Sequence, residues 1–256
     1  VSELAFSFGR IAAEYDDVRP EYAPEALDRA EDVLGLTAHS QVVDLAAGSG
    51  KLTRALAGRF GEVIAVEPNE EMRAVLAGRS ADIRVLAGTA ERIPLRDACA
   101  DAVFVGDAFH WFDGPSAVAE LARVLRPEGG VALLWNHWWS DGDDGRVNTL
   151  EPRLPAEAQA LLDEIYVSSG RAAARAEMAD PLEAFANGPF GPLAEEAFAR
   201  EEQLSGKEVV DLFATVSAVA SLPPAERDQL KRELVTLLEP SYRLEITTVL
   251  HWTRRA

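Results

Sequence analysis

The segment Val42-Val-Asp-Leu-Ala-Ala-Gly-Ser-Gly-Lys51 carries one acid, Asp44, inside an apolar run and leads into a turn of small residues that opens a helix. Such a turn lets a ligand approach the backbone without meeting a Cβ, and it presents the N–H groups of a helix N-terminus. A second apolar run, Val63-Ile-Ala-Val-Glu67, ends in an acid 19 residues beyond Gly48 (67 − 48). A carboxylate there can accept hydrogen bonds from both hydroxyls of a ribose. Each feature has a plain alternative: a tight strand-to-helix turn without a ligand, and an acid at a helix N-terminus beside Asn69-Glu-Glu71. Together they point to a ligand containing adenosine.

What the turn lacks narrows the ligand further. A dinucleotide fingerprint wants G-x-G-x-x-G/A, but the sixth position counted from Gly48 is Thr53. It also has no use for an acid at Asp44. A P-loop is excluded, because Gly50-Lys51 lacks the required spacing before it and is followed by Leu52. Asp44 suits a ligand with a cationic amino group, which a carboxylate bonds directly or through water.

Asp107-Ala-Phe-His-Trp-Phe112 follows the fourth β-like run, so it should face the glycine turn across the crevice where strand order reverses. His110 is the histidine positioned there, and an ordinary pKa of about 6.5 suits a general base. A structural or gating role is the alternative. Trp111 and Phe112 read as wall. Trp135-Asn-His-Trp-Trp139 reads as core or lid packing, with the floor of an acceptor pocket as the sharper alternative. His39, His137 and His251 show no metal spacing, and Cys99 is the single cysteine, so neither a disulfide nor a metal site is expected.

These residues need a frame. Short β-branched runs at Val42–Leu45, Val63–Val66, Ile83–Leu86, Ala102–Val105 and Val131–Trp135 predict strands. Helices are expected at Leu52–Phe60, Glu70–Ala77 and Pro115–Leu125, the last with Val118, Leu121, Ala122 and Leu125 on one face, Asp113 as N-cap and Pro115 in its first turn. Upstream, Tyr22–Leu34 sets Ala26, Ala30, Val33 and Leu34 on one face and stops at Gly35. Apolar strands alternating with helices indicate a parallel sheet covered on both faces, an α/β doubly wound core. Beyond 137 the pattern loosens: a polar turn at Ser140–Gly145, a helix at Pro155–Tyr166, a loop at Asn187–Pro192, a strand at Ala197–Leu204, helices at Glu208–Val219 and Pro224–Leu238, and an alternating strand at Tyr242–Trp252. The two late strands suggest an antiparallel pair at the sheet edge, whereas a dinucleotide-binding sheet ends in parallel strands.

The expectation is therefore a single domain over 1–256. It comprises a helical cap (1–40), a cofactor-binding core (41–136), a lid (137–194) and sheet-completing strands with a helical insertion (195–256). The 256 residues are 48% apolar, enough to bury a core at this length. With 43 acidic and 25 basic side chains the formal net charge is −18, a surface that repels phosphate backbones and anionic lipid. No nucleic-acid or membrane partner is expected on that ground. No run approaches the roughly 18 apolar residues of a membrane span, and Val1–Arg10 does not read as a signal peptide. The expected setting is cytoplasmic.

The sequence resembles the class I S-adenosylmethionine methyltransferases, in particular the small-molecule group that includes trans-aconitate methyltransferase-like proteins, over nearly its whole length. Asp44-Leu-Ala-Ala-Gly-Ser-Gly50 resembles the family's first motif, usually D-x-G-x-G-x-G, with Ala46 in place of its first glycine. The resemblance implies that Asp44, Ala46, Gly48 and Gly50 line the cofactor. Val66-Glu-Pro-Asn-Glu-Glu-Met72 resembles the second motif, which implies Glu67 on the ribose, Pro68 beside it and Met72 against the adenine. Gly88-Thr-Ala-Glu-Arg-Ile-Pro94 is similar to the segment at the adenine edge, with Thr89, Ala90 and Glu91 as its cofactor-facing residues. Asp101–Phe112 resembles the fourth strand and its active-site loop, with Asp107 toward the cofactor, and Leu125–Gly130 resembles the turn into strand five. Phe8–Tyr15 and Arg19-Pro-Glu-Tyr22 resemble a cap over the methionine end, so Tyr15 and Arg19 would hold its carboxylate. The implied fold is a mostly parallel seven-stranded sheet with helices on both faces, an antiparallel last strand, and a helical cap and lid.

The function so implied is methyl transfer from S-adenosyl-L-methionine to O, N or C of a small-molecule acceptor, leaving S-adenosyl-L-homocysteine, with His110 as an optional base and no metal. Two alternatives stay open. One is a catalytically silent, S-adenosylmethionine-binding regulatory module. The other is a nucleic-acid methyltransferase, whose amino-group DNA enzymes carry [D/N]-P-P-[Y/F] where this chain has Asp107-Ala-Phe-His, and whose cytosine-5 enzymes need a Pro-Cys where Cys99 follows Ala98. For a carboxylate acceptor, Arg171 and Arg175 are the basic anchors to consider.

Overall fold

Strands buried on both faces must be apolar at every position, and that pattern accounts for the centre of the molecule. The computed structural model describes residues 7–138, 150–170 and 180–256. The Ser140–Gly145 turn, Trp139, Arg171 and Arg175 lie outside the described residues. A 3-10 turn at Ser7–Ile11 leads into α1 (Ala12–Val18) and α2 (Pro24–Leu34). α2 opens with proline in its first turn and closes on Gly35 at φ 61°, the left-handed conformation a glycine adopts without a Cβ clash. Then β1 (Gln41–Leu45), α3 (Lys51–Ala57), β2 (Glu62–Val66), α4 (Glu70–Arg79), β3 (Arg84–Leu86), β4 (Ala100–Gly106), α5 (Gly114–Val124) and β5 (Leu125–His137) follow. The C-terminal part adds β6 (Leu150–Glu151), α6 (Ala156–Ser168), β7 (Ala194–Ser205), α7 (Gly206–Phe213), the four-residue α8 (Ser217–Ala220), α9 (Pro224–Leu237) and β8 (Ser241–Arg254).

The sheet runs β3-β2-β1-β4-β5-β8, with β7 on the far side of β8. The first five strands are parallel; β8 pairs antiparallel with β5 and β7 antiparallel with β8. β1 has β2 on one side and β4 on the other, so strand order reverses there and the crevice opens beyond the carboxyl ends of β1 and β4. The two-residue β6 pairs with Leu244 and Arg243 beyond the end of β5, an eighth strand in addition to the seven expected.

Side-chain alternation assigns the faces. Val43, Leu45, Val103, Val105, Val131 and Leu133 pack with Ala117, Val118 and Leu121 of α5. Their neighbours Val42, Ala102, Phe104, Ala132 and Leu134 point the other way, onto Ala26, Leu27 and Ala30 of α2 and Leu52 and Leu56 of α3. A separate core lies under the insertion, where Trp138, Leu162, Val210, Phe213, Leu230 and Leu234 meet Tyr242, Leu244 and Ile246 of β8. β7 takes the outer place next to β8, and its mostly exposed, charge-rich face keeps that edge from recruiting another strand.

Two local outcomes differ from the periodicity. The helix expected over Glu208–Val219 is two, broken at Ala214–Val216, where the Thr215 hydroxyl donates to the Leu212 carbonyl at 2.7 Å and Val216 turns extended at ψ 138°. A short polar side chain that bonds the preceding turn competes with helix continuation. Asp113 does stand at the N-cap of α5, but its carboxylate takes the Ser116 hydroxyl at 2.9 Å rather than a backbone N–H.

Candidate active site

Three left-handed residues bend the chain between β1 and α3: Ala46 at φ 58°, Gly48 at φ 57° and Gly50 at φ 93°. Gly50 is required twice, because a Cβ there would also lie 2.7 Å from Leu76 Cγ. At Gly48 a Cβ would meet nothing within 4 Å, so the backbone at this point borders open space. Ala46 adopts the same conformation with a side chain, which stores strain of roughly 1 kcal/mol.

Glu67, at the end of β2, is buried and fastens this turn. Its Oε2 accepts from Gly48 N–H at 2.8 Å and its Oε1 from Asn69 N–H at 2.8 Å. Burial raises its pKa, opposed by those two N–H groups and by the charge of Arg73. Both oxygens keep lone pairs beyond the two bonds they accept. Asn69 caps α4 by accepting from Met72 N–H at 2.9 Å, and Met72 is buried behind it. The Pro68 carbonyl accepts from Arg73 at 2.7 Å, which holds the strand-to-helix bend.

Asp44 is fully buried in β1. Its Oδ2 accepts from the Thr53 hydroxyl at 2.5 Å, while Oδ1 has no hydrogen-bond partner. Burial pushes its pKa up to about 7, helped by the charge of Glu67 and resisted by the Thr53 hydrogen bonds. A buried carboxylate oxygen without a donor is costly and calls for a ligand to satisfy it.

Across the switch point, Asp107 follows β4 at φ 50°. Its Oδ1 accepts from Asn136 N–H at 3.0 Å and its Oδ2 from the Tyr22 hydroxyl at 3.1 Å. Burial raises its pKa to about 6, held back by Arg19, Asn136 and Tyr22. His110 sits on the next turn, the 3-10 segment Phe109–Trp111, half-buried with its ring 4.7 Å from that of Trp111. Trp111, Phe112 and Trp135 pack against the main core, whereas Trp138 belongs to the core under the insertion. Thr89 bridges to Arg92, Ala90 is buried in the main core, and Glu91 accepts from Asp113 N–H at 3.1 Å. That contact ties the 88–94 segment to the start of α5.

The cap reaches into the same crevice. Three consecutive side chains of α1 point three ways, as a rotation of about 100° per residue requires. Glu14 faces Lys231 at 2.6 Å and Arg227 at 3.1 Å on α9. Tyr15 is held near Arg19, Asp107 and Glu67; burial raises its hydroxyl's pKa, with the Arg19 charge opposing. Asp16 is buried and accepts from Ser49 Oγ at 2.7 Å, from Arg54 at 2.7 Å and from Arg79. Burial works against its charge, but the hydrogen bonds and the two guanidinium groups win and lower its pKa. The linker after α1 is pinned by Asn136, whose Nδ2 donates to the carbonyls of Pro20 and Glu21 at 3.2 and 3.1 Å. Thr248 completes the connection: its hydroxyl donates to Asn136 Oδ1 at 2.6 Å and accepts from Ala23 N–H at 3.0 Å.

Asp44, Ala46, Gly48, Gly50, Glu67, Pro68 and Met72 thus form one connected group around the ends of β1 and β2. Tyr15, Arg19 and Asp107 form a second around the end of β4. Asp16, Asn136, Thr215 and Thr248 escape sequence reasoning, because each is an ordinary polar residue whose partner lies far along the chain. Among the described residues no cluster of His, Cys, Asp or Glu could hold a metal, and no helix is long and apolar enough to cross a membrane. A cavity of about 400 Å³ lies at the opposite end of the sheet, lined by Gln41, Glu62, Arg84 and Arg96 at or near the starts of the strands.

Fold and site together define a doubly wound, nucleoside-binding α/β protein with an antiparallel last strand. Comparison with known proteins identifies the family. Residues 43–133 match the methyltransferase domain family. An uncharacterized methyltransferase of Mycobacterium tuberculosis is 46% identical over 134 residues, covering 52% of this chain and 54% of that protein, so the chain spans about half the length of that relative. An uncharacterized methyltransferase of Schizosaccharomyces pombe is 30% identical over 236 residues, covering 92% of this chain and 88% of that protein. The structure of a proposed type II methyltransferase from Anaeromyxobacter dehalogenans shares the fold, with a TM-score of 0.59 at 23% identity over 92% of this chain and 97% of that one. The chain belongs to the class I S-adenosylmethionine-dependent methyltransferase family.

Proposed function

We propose that this chain transfers a methyl group from S-adenosyl-L-methionine to an O, N or C atom of a small-molecule acceptor. The observation that carries the reading is Asp44 Oδ1, a buried oxygen with no donor beside a glycine turn. An ammonium group answers it, which a dinucleotide lacks and the amino-acid end of S-adenosylmethionine has. The remaining residues fit the same occupant. The open space at Gly48 admits a ligand against the backbone, and Glu67 has lone pairs left for ribose hydroxyls. Met72 and the Thr89–Glu91 segment flank the adenine, and Tyr15 and Arg19 take the carboxylate.

When bound, this cofactor supplies a sulfonium-activated methyl group. The chain's own work is then to orient donor and acceptor, exclude water and hold or move a proton. The α1 cap, tied to the turn by Asp16 and to the insertion by Glu14, excludes water. His110 takes a proton where the acceptor carries one. The net charge of −18 supports a small acceptor rather than a nucleic acid or a membrane surface. Cytoplasmic residence belongs to the same proposal.

The test is calorimetric titration with S-adenosylmethionine and S-adenosylhomocysteine. Micromolar binding of both supports the reading; no binding to folded protein at millimolar ligand overturns it. With an acceptor in hand, His110→Ala lowers turnover at saturating cofactor by about a hundredfold if His110 is the base. An unchanged rate assigns His110 to the wall.

A further inference from the structure

Arg19 is held in place by a residue 196 positions away. Its Nε donates to Thr215 Oγ1 at 2.8 Å and its Nη2 to the Thr215 carbonyl at 2.8 Å. The guanidinium carbon lies 4.9 Å from the centre of the Tyr15 ring and 5.2 Å from that of Trp138. Four separate pieces of the chain meet at this group: α1 through Tyr15, the linker through Arg19, the end of β5 through Trp138, and the α7–α8 turn through Thr215.

The clamp is itself anchored. Thr215 has no exposed surface. Its hydroxyl donates to Leu212 O at 2.7 Å, which aims the oxygen's lone pairs toward Arg19. Trp138 is buried and packs edge-on against Phe213, with ring centres 5.8 Å apart, so the aromatic wall belongs to the insertion's own core. Neither hydrogen bond to Thr215 uses Nη1. A guanidinium is planar, so fixing Nε and Nη2 also fixes where Nη1 points.

We infer that Thr215 is a positioning residue, which holds the Arg19 guanidinium in the orientation that receives the carboxylate of the cofactor and so makes the C-terminal insertion part of the cofactor site. The inference rests on the cofactor reading above and adds to it a distant residue. An arginine ordered in advance loses less conformational entropy when it binds, which favours affinity. The clamp also explains the break at Ala214–Val216, because a continuous helix would commit the Thr215 carbonyl to its own hydrogen-bond ladder.

The experiment compares wild type, Thr215→Val and Thr215→Ser in calorimetric titrations with three probes: S-adenosylmethionine, S-adenosylhomocysteine and 5′-methylthioadenosine. The third shares the nucleoside but has neither the carboxylate nor the ammonium. Thr215→Val should weaken the first two about tenfold, leave the third unchanged, and be rescued by Thr215→Ser. Equal weakening of all three would mean that Thr215 only supports the fold; no change in any would mean that the clamp does not position Arg19. Either result overturns the inference.

A ligand-free measurement keeps the clamp separate from the cofactor reading. The Arg19 Nε–H resonance, assigned through Arg19→Lys, should exchange slowly with water in wild type and fast in Thr215→Val. Fast exchange in wild type overturns the clamp whatever the protein binds. Slow exchange in a protein that binds none of the probes retains the clamp and overturns its proposed purpose together with the cofactor reading.

Discussion

On the glycine-turn side of the crevice the hydrogen bonds are short in sequence: Glu67 to Asn69 spans 2 residues, Asn69 to Met72 spans 3, Asp44 to Thr53 spans 9 and Glu67 to Gly48 spans 19. On the cap side they are long: Tyr22 to Asp107 spans 85, Arg19 to Thr215 spans 196, Glu14 to Lys231 spans 217 and Ala23 to Thr248 spans 225. The first side is shaped by backbone conformation within one strand-turn-helix unit. The second is assembled from pieces that meet only when the whole chain has folded. The match to the methyltransferase domain family, residues 43–133, covers the first side and stops short of Tyr15, Arg19, Asn136, Thr215 and Thr248. The family match thus follows the local unit, while the cap and the insertion lie outside it.

That contrast can be broken by substitution. Removing the carboxylate in Glu67→Ala should weaken S-adenosylhomocysteine binding about a hundredfold, through lost ribose contacts and a loosened Gly48 turn. Calorimetry on folded protein reads this, and an affinity within threefold of wild type would remove the ribose assignment.

On the other side the first cost should fall on stability. Asp16→Ala strips three donors of their acceptor, two of them on part-exposed arginines. After discounting for solvent screening it should destabilise the protein by about 2 kcal/mol. Urea unfolding measures that, and an unchanged midpoint would mean that the cap is not anchored through α1. The Asp16 contribution also has a pH signature. Its native pKa is lowered, so the stabilisation is present above the unfolded value of 3.8 and is lost as pH falls through the native one.

Asp44 has the opposite sign. Its native pKa is about 7 against 3.8 unfolded. Between those values the folded chain holds a proton that the unfolded chain has released, so ligand-free stability falls as pH rises from about 4 to 7. Asp44→Asn keeps an acceptor for Thr53 and removes the charge. It should therefore be more stable than wild type at pH 8 and closer to it at pH 4, in thermal melts without ligand. A stability difference independent of pH would mean that Asp44 is ionised throughout. S-adenosylhomocysteine, with its ammonium, should narrow the gap at pH 8, because it satisfies the wild-type carboxylate.

How much of this was readable in advance follows the same division. Strands β1, β2, β4 and β5 and the helices between them are legible because burial forces apolar runs, and because Pro24 and Gly35 punctuate α2. The antiparallel ending is legible from the alternation in Tyr242–Trp252, although the sequence does not say that β8 lies between β5 and β7. The helix break at Ala214–Val216 is invisible to periodicity, because its cause is a side chain that bonds backward and an arginine that arrives from the cap.

By itself the sequence determined the glycine turn, since glycine at φ 93° and a buried acid in a strand are local requirements with few substitutes. It determined the fold class, since strand and helix periods are carried by neighbouring residues. Only the tertiary structure decided that Asp16 fastens the cap to the turn, that Asn136 and Thr248 pin the linker, and that Thr215 clamps Arg19. Those residues are common polar types at unremarkable positions. What makes them matter is a partner more than 30 residues away, reached after hydrophobic burial has brought the cap, the sheet and the insertion together.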